Sequence, residues 1–137
     1  MTRRVTCVLR RHYVPEDAAI LIIQPYWADM IFHGGKTLEI RDTVSHHRGD
    51  TYVAVSGSWF LLGYFDLWDC EGPLTKERWE QLRPQHKVPG ERPYGASTYA
   101  WSVRSARLLR YRVPCARTTQ VRWVRYASVC NASWRTA

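Results

Sequence analysis

Three charged side chains occur close together in one short segment of the sequence. Lys36, Glu39 and Arg41 follow two glycines, Gly34 and Gly35, and a single residue separates Glu39 from Arg41. Because successive side chains of a β-strand point to opposite faces, a strand here places Glu39 and Arg41 on the same face. Lysine and arginine can hold a phosphate, and a carboxylate can accept hydrogen bonds from the edge of a base. The segment therefore predicts a polar recognition site.

The alternation of this segment also predicts which of its side chains are buried. Leu38 and Ile40 fall on the face opposite Glu39, so we expect them in the core. We expect Thr37, Glu39 and Arg41 to line a cleft. The alternative is an ordinary ion pair between Glu39 and Arg41 on a solvated face, which would contribute little to stability.

Further candidate residues flank the charged segment. Tyr26 and Trp27 lie near the start of a predicted helix, where either ring could stack on a base. His47 and Arg48 lie in the polar loop that follows, and His47 is a candidate general base if that loop covers the cleft. Three later tryptophans are interpreted as core residues: Trp68, Trp79 and Trp101.

The positive charge is concentrated in the last third of the chain. The formal net charge is +8, yet residues 1–91 carry eleven basic and twelve acidic side chains, while residues 92–137 carry nine arginines and no acid. Arginines interleaved with aromatic residues are typical of a surface that binds single-stranded nucleic acid or a nucleotide. The alternative is a solvated face in a chain that uses arginine in place of lysine. The candidate contacts to a phosphate backbone are Arg104, Arg110, Arg112, Arg122 and Arg125.

Several chemical classes are excluded by missing motifs. The sequence has no glycine-rich phosphate loop and no G-x-S-x-G elbow. The four cysteines are too widely spaced for a zinc or redox unit, and they are expected to be reduced thiols. His46 and His47 are neighbours that point to opposite faces of an extended chain, so they cannot readily chelate one ion. We therefore expect no metal and no cofactor.

The length and hydropathy of the chain predict one domain that does not enter a membrane. The 137 residues are 45% hydrophobic, and no apolar run approaches the length of a membrane-spanning helix. No long apolar segment follows the N-terminus, so a secretory signal is not expected. We expect an intracellular protein, cytoplasmic or nuclear, and favour a monomer.

Short strands with two helices are predicted to position the candidate residues. A buried strand is predicted over residues 19–24, and a helix follows from Pro25 to Gly34. Gly63 is expected to mark a bulge or a close backbone approach. A second helix begins after Thr75 as its N-cap and runs to Leu82, before a loop over residues 83–94. Further strands are predicted over residues 36–41, 51–55, 60–70, 98–103, 108–113 and 121–126. The pattern favours a mainly β (α+β) fold, a small barrel with two short flanking helices.

A set of short motifs occurs in a fixed order along the sequence. They are Gln24-Pro25, G-x-K-x-x-E-x-R over 34–41, His47-Arg48-Gly49, the strand over 62–70, Tyr99-x-Trp101, Pro114 and Trp123. This order resembles the ASCH (activating signal cointegrator homology) domain family of the PUA-like superfamily. The resemblance covers about residues 19–126, which leaves residues 1–18 as an N-terminal extension and residues 127–137 as a C-terminal tail. It implies a PUA-like β-barrel with a cleft between the barrel and the motif strand.

The resemblance implies two classes of function, and both stay open. Similar proteins include nucleic-acid binders, a ribonuclease branch and a small amidohydrolase branch that removes an acyl group from modified cytidine. In that last branch a threonine nucleophile stands at the position of Glu39, beside a lysine that matches Lys36 and a carboxylate near Asp66. The glutamate here argues against an acyl-enzyme. We expect a module that binds RNA or a modified nucleotide; the alternative is a hydrolase of N4-acylated cytidine or an RNA phosphodiester, using Lys36 with Glu39 or Asp66.

Overall fold

The structure is a computed structural model that describes residues 14–15, 17–58, 60–115 and 123–125. Arg122, the side chain of Arg125, and most of the N-terminal extension and C-terminal tail lie outside the described residues. The elements, in chain order, are β1 (Ala19–Ile23), α1 (Pro25–His33), β2 (Leu38–Arg41), β3 (Gly49–Val55), β4 (Phe60–Glu71), α2 (Lys76–Gln81), α3 (Arg83–His86), a 3-10 turn (Gly95–Ser97), β5 (Tyr99–Pro114) and β6 (Trp123–Arg125).

The strands form one mixed sheet in the order β2-β5-β4-β3-β1-β6. The β1–β3 pair is parallel and the other pairs are antiparallel. The sheet is curled into a barrel-like shape and carries a few short helices, so the mainly β (α+β) prediction is confirmed. Among the described elements, β2 and β6 are the two edges of the sheet.

The two apolar residues of the charged segment are buried, as the alternation predicts. Leu38 and Ile40 are buried at 6% and 8% exposure. They pack against Trp79 of α2 and against Leu82, which lies between α2 and α3. Glu39 lies opposite Trp101 in the antiparallel ladder with β5. Because cross-strand partners share a face, Glu39 is directed to the side of the sheet where Trp101 packs with α1.

The first helix begins and ends where the sequence predicts. Pro25 occupies its first turn, where the missing N–H costs no hydrogen bond. The chain leaves the helix at Gly34, and Gly35 adopts a φ of 77°, which glycine tolerates without strain. This turn brings Lys36 back onto the helix, because its N–H donates to the carbonyl of Met30 at 3.0 Å.

Gly63 marks a close approach, as expected. A Cβ atom there would meet the carbonyl oxygen of Arg107 and lie 2.7 Å from Cε1 of Phe32. The register of β4 also shifts on both sides of this residue. Thr75 caps α2 as predicted, and its Oγ1 accepts the N–H of Arg78 at 3.0 Å.

Some details of the sequence prediction are wrong. The two strands predicted over 98–103 and 108–113 are one strand, β5, which continues through an irregularity at Ser105, where φ is 56°. The predicted loop over 83–94 begins with the one-turn helix α3, which tolerates Pro84 because it lies in the first turn. The described residues therefore form three helices and a 3-10 turn, where two helices were predicted.

Trp79 and Trp101 are buried as predicted, whereas the core assignment of Trp68 is wrong. Its side chain is 47% exposed. Trp68 lies where the register between β4 and β5 shifts, between Leu67 and Asp69. An extra residue at such a bulge is not held on the buried face, and here the guanidinium of Arg104 lies 4.9 Å from the ring centroid.

None of the helices in the described part of the chain is both long and apolar enough to cross a bilayer.

Candidate functional site

A cleft of about 480 Å³ opens where β2, the end of β1, α1 and the segment before the 3-10 turn meet. This volume lies within the range of small-molecule binding sites. Charged side chains meet apolar and aromatic ones on its surface. Its lining residues are Ile22, Gln24, Trp27, Lys36, Glu39, Ile40, Arg41, Ser56, Val88, Pro93 and Tyr94.

Buried Glu39 and partly buried Arg41 form an ion pair in the cleft. Oε2 of Glu39 accepts from Nε of Arg41 at 2.9 Å and lies 2.9 Å from Nη2. Nη2 also donates to the carbonyl of Ile22 at 3.0 Å, and the guanidinium lies 5.6 Å from the ring centroid of Trp101. Oε1 of Glu39 accepts no hydrogen bond from any residue that the structure describes. The cleft thus contains a buried carboxylate oxygen with unused acceptor capacity.

Lys36 is a second buried charge in the same cleft, with 2% exposure. Its Nζ donates to the carbonyl of His86 at 2.6 Å and lies 4.6 Å from the ring centroid of Trp27. Burial lowers the pKa of Lys36 to about 8; the nearby carboxylate of Glu39 opposes this shift and the charge of Arg41 adds to it. A substantial neutral fraction of this amine is therefore present in mildly alkaline solution.

His86 supports Lys36 through its backbone and was not identified as a site residue from the sequence. Its ring is fully buried, stacks on Trp79 with 3.7 Å between centroids, and lies 3.0 Å from the carbonyl of Trp79 through Nε2. Nδ1 accepts the N–H of Val88 at 2.9 Å. This pair of bonds fits a neutral ring, and burial lowers the pKa of His86 accordingly. No sequence motif indicates a partner that acts through a backbone carbonyl.

Four of the predicted ligand-binding residues are brought together in the cleft: Trp27, Lys36, Glu39 and Arg41. Tyr26 is 62% exposed and contacts Trp27 edge to face, with 4.7 Å between ring centroids, without lining the cleft. Thr37, expected to line the cleft, is exposed and lies outside its lining.

His47, Arg48 and Asp66 also lie outside the lining of this cleft. Nε2 of His47 is 3.1 Å from both the carbonyl of Asp50 and Oγ1 of Thr51. Arg48 donates to carbonyl oxygens of its own loop. Oδ2 of Asp66 accepts from Nε of Arg104 at 2.8 Å. The structure therefore does not bring these three residues together with Lys36 and Glu39.

Three polar or aromatic residues of the cleft were not predicted as site residues from the sequence. Gln24 and Ser56 add polar groups, and Tyr94 adds an aromatic ring that is 45% exposed. Their positions depend on chain segments that meet only in the folded protein. The proline-rich composition around Tyr94 indicates a loop but does not indicate what the loop faces.

The arginines proposed from the sequence as backbone contacts lie along one strand as far as the structure describes them. Arg104, Arg110 and Arg112 are exposed on β5. The guanidinium of Arg112 lies 4.3 Å from the ring centroid of Phe60, and that of Arg110 lies 5.7 Å from that of Tyr111. Both distances lie within the range of cation–π contacts.

In the described part of the chain, no three histidine, cysteine, aspartate or glutamate side chains lie close enough to hold a metal ion. The cleft itself offers one carboxylate beside two cationic groups, a donor set that suits an anionic or polar organic ligand better than a cation.

The fold and the cleft define a small domain with a barrel-like mixed sheet and a charged cleft beside a helix–turn–strand unit. The ASCH domain family model matches residues 21–112. The chain therefore belongs to the ASCH domain family.

Solved structures agree with this assignment. The ASCH protein from Zymomonas mobilis is similar to this chain with a TM-score of 0.61 and 14% sequence identity, and the match covers 72% of this chain and 74% of that chain. The S128A mutant of the same organism's protein gives a TM-score of 0.59 and 16% identity, with 72% and 75% covered. At these identities the likeness shows the fold. The chain has no significant match among curated proteins.

Replacing Lys36 with methionine is expected to raise stability most at neutral pH. Between pH 8 and 10.5 the unfolded chain keeps a proton that folded Lys36 has lost, so the wild-type protein gains stability relative to the variant as the pH rises. The advantage of Lys36→Met in unfolding free energy should fall by about 3 kcal/mol between pH 7 and pH 10.5. Urea unfolding of both proteins at several pH values measures this change.

The exposed Lys76 of α2 provides the matched control. Lys76→Met removes the same formal charge from a position in contact with solvent, so no buried amine is lost. A difference between wild type and Lys36→Met that stays constant over the whole pH range would contradict the assigned titration of Lys36.

Proposed function

We propose that the cleft binds a nucleotide, or one unpaired base of an RNA or other single-stranded nucleic acid, and that Glu39 contacts the edge of the base. The observation that carries the proposal is the carboxylate of Glu39, which is buried in the cleft and has one oxygen without a hydrogen bond from the described residues. A buried acceptor without a hydrogen bond carries a desolvation penalty, which a ligand offsets by donating a hydrogen bond to it. Cytosine N4 and the Watson–Crick edge of guanine supply such donors.

Lys36 supplies the complementary group. Its Nζ makes one hydrogen bond, to the carbonyl of His86, so an ammonium group there retains donors for a ring carbonyl or a phosphate. The cleft thus offers both a hydrogen-bond donor and a hydrogen-bond acceptor in partly apolar surroundings. This pair matches the edge of a base, or of a modified base, which also carries both donors and acceptors. Arg41 is committed to Glu39 and Ile22, and its role is to fix the direction of the carboxylate.

The arginines of β5 extend the proposed interface to a phosphate backbone. Arg110 and Arg112 are exposed, and β5 contains no acidic residue. Arg104 belongs to the same strand, although Asp66 neutralises part of its charge. We include Arg122 and Arg125 on the basis of the sequence. Ligands of this kind are met inside the cell, in agreement with the expected cytoplasmic or nuclear location.

Glu39→Gln is expected to change which base is preferred. The amide can still accept from Arg41, but it presents a donor where the carboxylate presented an acceptor. The preference among the four nucleoside 5′-monophosphates should therefore shift by on the order of 1–2 kcal/mol, measured by calorimetric titration of each. Lys36→Ala should instead weaken all four by a similar factor. Glu77→Gln, an exposed change on α2, is the control. Equal losses for all four bases in Glu39→Gln would contradict base reading.

The arginine surface predicts binding that depends strongly on salt. Affinity for a single-stranded oligonucleotide should fall with salt at a log–log slope of about 0.7 per phosphate contacted. The double change Arg110→Ala/Arg112→Ala should reduce this slope and weaken all sequences alike. Fluorescence anisotropy over a salt series measures both effects. Lys76→Ala/Arg78→Ala removes the same formal charge from α2 and should leave the slope unchanged; equal effects of the two double changes would indicate only a general loss of charge.

A second candidate function is hydrolysis, which the pKa of Lys36 near 8 favours. In this reaction neutral Lys36 takes a proton from water while the water oxygen bonds to the acyl carbon of an N4-acylated cytidine. The carbon–nitrogen bond then breaks, and the proton passes to N4, which yields a carboxylic acid and cytidine. Glu39 would orient the substrate. Asp66, which is held by Arg104 outside the cleft lining, is poorly placed to join this step.

Turnover distinguishes the two functions. The protein is incubated with N4-acetylcytidine and, separately, with single-stranded RNA, and the products are followed by chromatography. Product formation that disappears in Lys36→Ala would favour the hydrolase. Binding of either ligand without product formation would favour the binding module.

A further inference from the structure

One wall of the cleft belongs to a segment held in place by hydrogen bonds that do not involve the cleft. Val88, Pro93 and Tyr94 contribute this wall. Arg83 donates to the carbonyls of Val88 at 2.5 Å and of Gly90 at 2.8 Å, and Nε1 of Trp79 also donates to Gly90 at 2.8 Å. This half of the segment is therefore anchored to α2 and α3.

The other half of the segment is anchored as well. Nη1 of Arg92 donates to the carbonyl of Leu74 at 2.8 Å, and the N–H of Tyr94 donates to Oγ1 of Thr98 at 3.1 Å. Thr98 is itself fully buried, and its carbonyl accepts the N–H of Leu74. The backbone at Tyr94 is therefore fixed before any ligand arrives.

The ring of Tyr94 has no partner among the residues that the structure describes. It makes no hydrogen bond and no ring contact there, and 45% of the residue is exposed. Keeping a large aromatic side chain partly exposed on a fixed backbone forfeits the free energy that its burial would yield. A stiff side chain with two rotatable bonds in such a position is well suited to cover a planar ligand at low entropic cost.

The second aromatic ring of the cleft is already engaged. Trp27 has the ammonium of Lys36 at 4.6 Å from its ring centroid and the ring of Tyr26 edge to face at 4.7 Å. Of the two aromatic rings that line the cleft, Tyr94 is therefore the one without an aromatic or cation–π contact to another described residue.

We infer that Tyr94 is the stacking residue of the cleft, and that it selects ligands with a planar heterocyclic ring over ligands with only a sugar, phosphate or aliphatic group. The inference rests on the proposed function, because the edge of the stacked ring then meets Glu39 and Lys36. It names the feature of the ligand that Tyr94 recognises, namely an aromatic face.

The test compares Tyr94→Phe, Tyr94→Leu and Tyr94→Ala with the wild-type protein by calorimetric titration. The probes are the nucleoside 5′-monophosphate that the wild type binds most tightly and ribose 5-phosphate, which has the same sugar and phosphate without the ring. Tyr94→Phe should bind the nucleotide as the wild type does. Tyr94→Ala should weaken it about 5-fold to 150-fold, and Tyr94→Leu should also weaken it, since a stacked base contributes about this much.

Ribose 5-phosphate should bind equally to the wild type and to Tyr94→Ala. Three results would overturn the inference while the proposed function stands: an unchanged nucleotide affinity in Tyr94→Ala, a loss in Tyr94→Phe as large as in Tyr94→Ala, or full affinity in Tyr94→Leu. Failure of the wild type to bind any of the four nucleotides or a single-stranded oligonucleotide would overturn both proposals. Thermal unfolding of each variant, expected to match the wild type, shows that the fold is retained.

Discussion

The guanidinium of Arg41 joins parts of the molecule that are distant in the sheet. Arg41 lies on the edge strand β2, and its Nη2 donates to the carbonyl of Ile22 in β1, next to the opposite edge. In the structure as described, β6 pairs with β1 only from Ala19 to Leu21, so Ile22 lies just beyond that ladder. The same guanidinium fixes Glu39 and lies against Trp101. One side chain thus links the two ends of the curled sheet and also directs the carboxylate.

The cost of desolvating charged groups explains the arrangement of the residues that surround the cleft. A buried lysine, a buried glutamate and a partly buried arginine lie within a short segment, although apolar residues of similar volume would often be at least as stable there. Lys36 is compensated by the carbonyl of His86 and the ring of Trp27. The helices α2 and α3 bury the ring of His86 and so fix that carbonyl. Helices α2 and α3 therefore help to support the charged cleft.

The fold was largely predictable from the sequence because its strongest signals are local. The alternation around Glu39 predicted the burial of Leu38 and Ile40, and Pro25 with the glycines predicted the limits of α1. The carbonyl of His86 and the exposed ring of Tyr94 could not be predicted, because each depends on segments that meet through long-range contacts. A bulge likewise exposes Trp68, and no property of its neighbours in the sequence indicates which residue of a long strand will be displaced.

The length of β5 separates the cleft from the arginines at the far end of the strand. Trp101, which lies behind Arg41, and Arg110 belong to the same strand and are separated by roughly 30 Å if it is fully extended. A mononucleotide is too small to touch the cleft and the distal arginines together, whereas a polynucleotide can reach both. For a chain long enough to do so, the second contact becomes intramolecular and benefits from a high effective concentration. If the cleft and the arginines bind one strand, as the proposed function requires, long strands are held far more firmly than their component nucleotides.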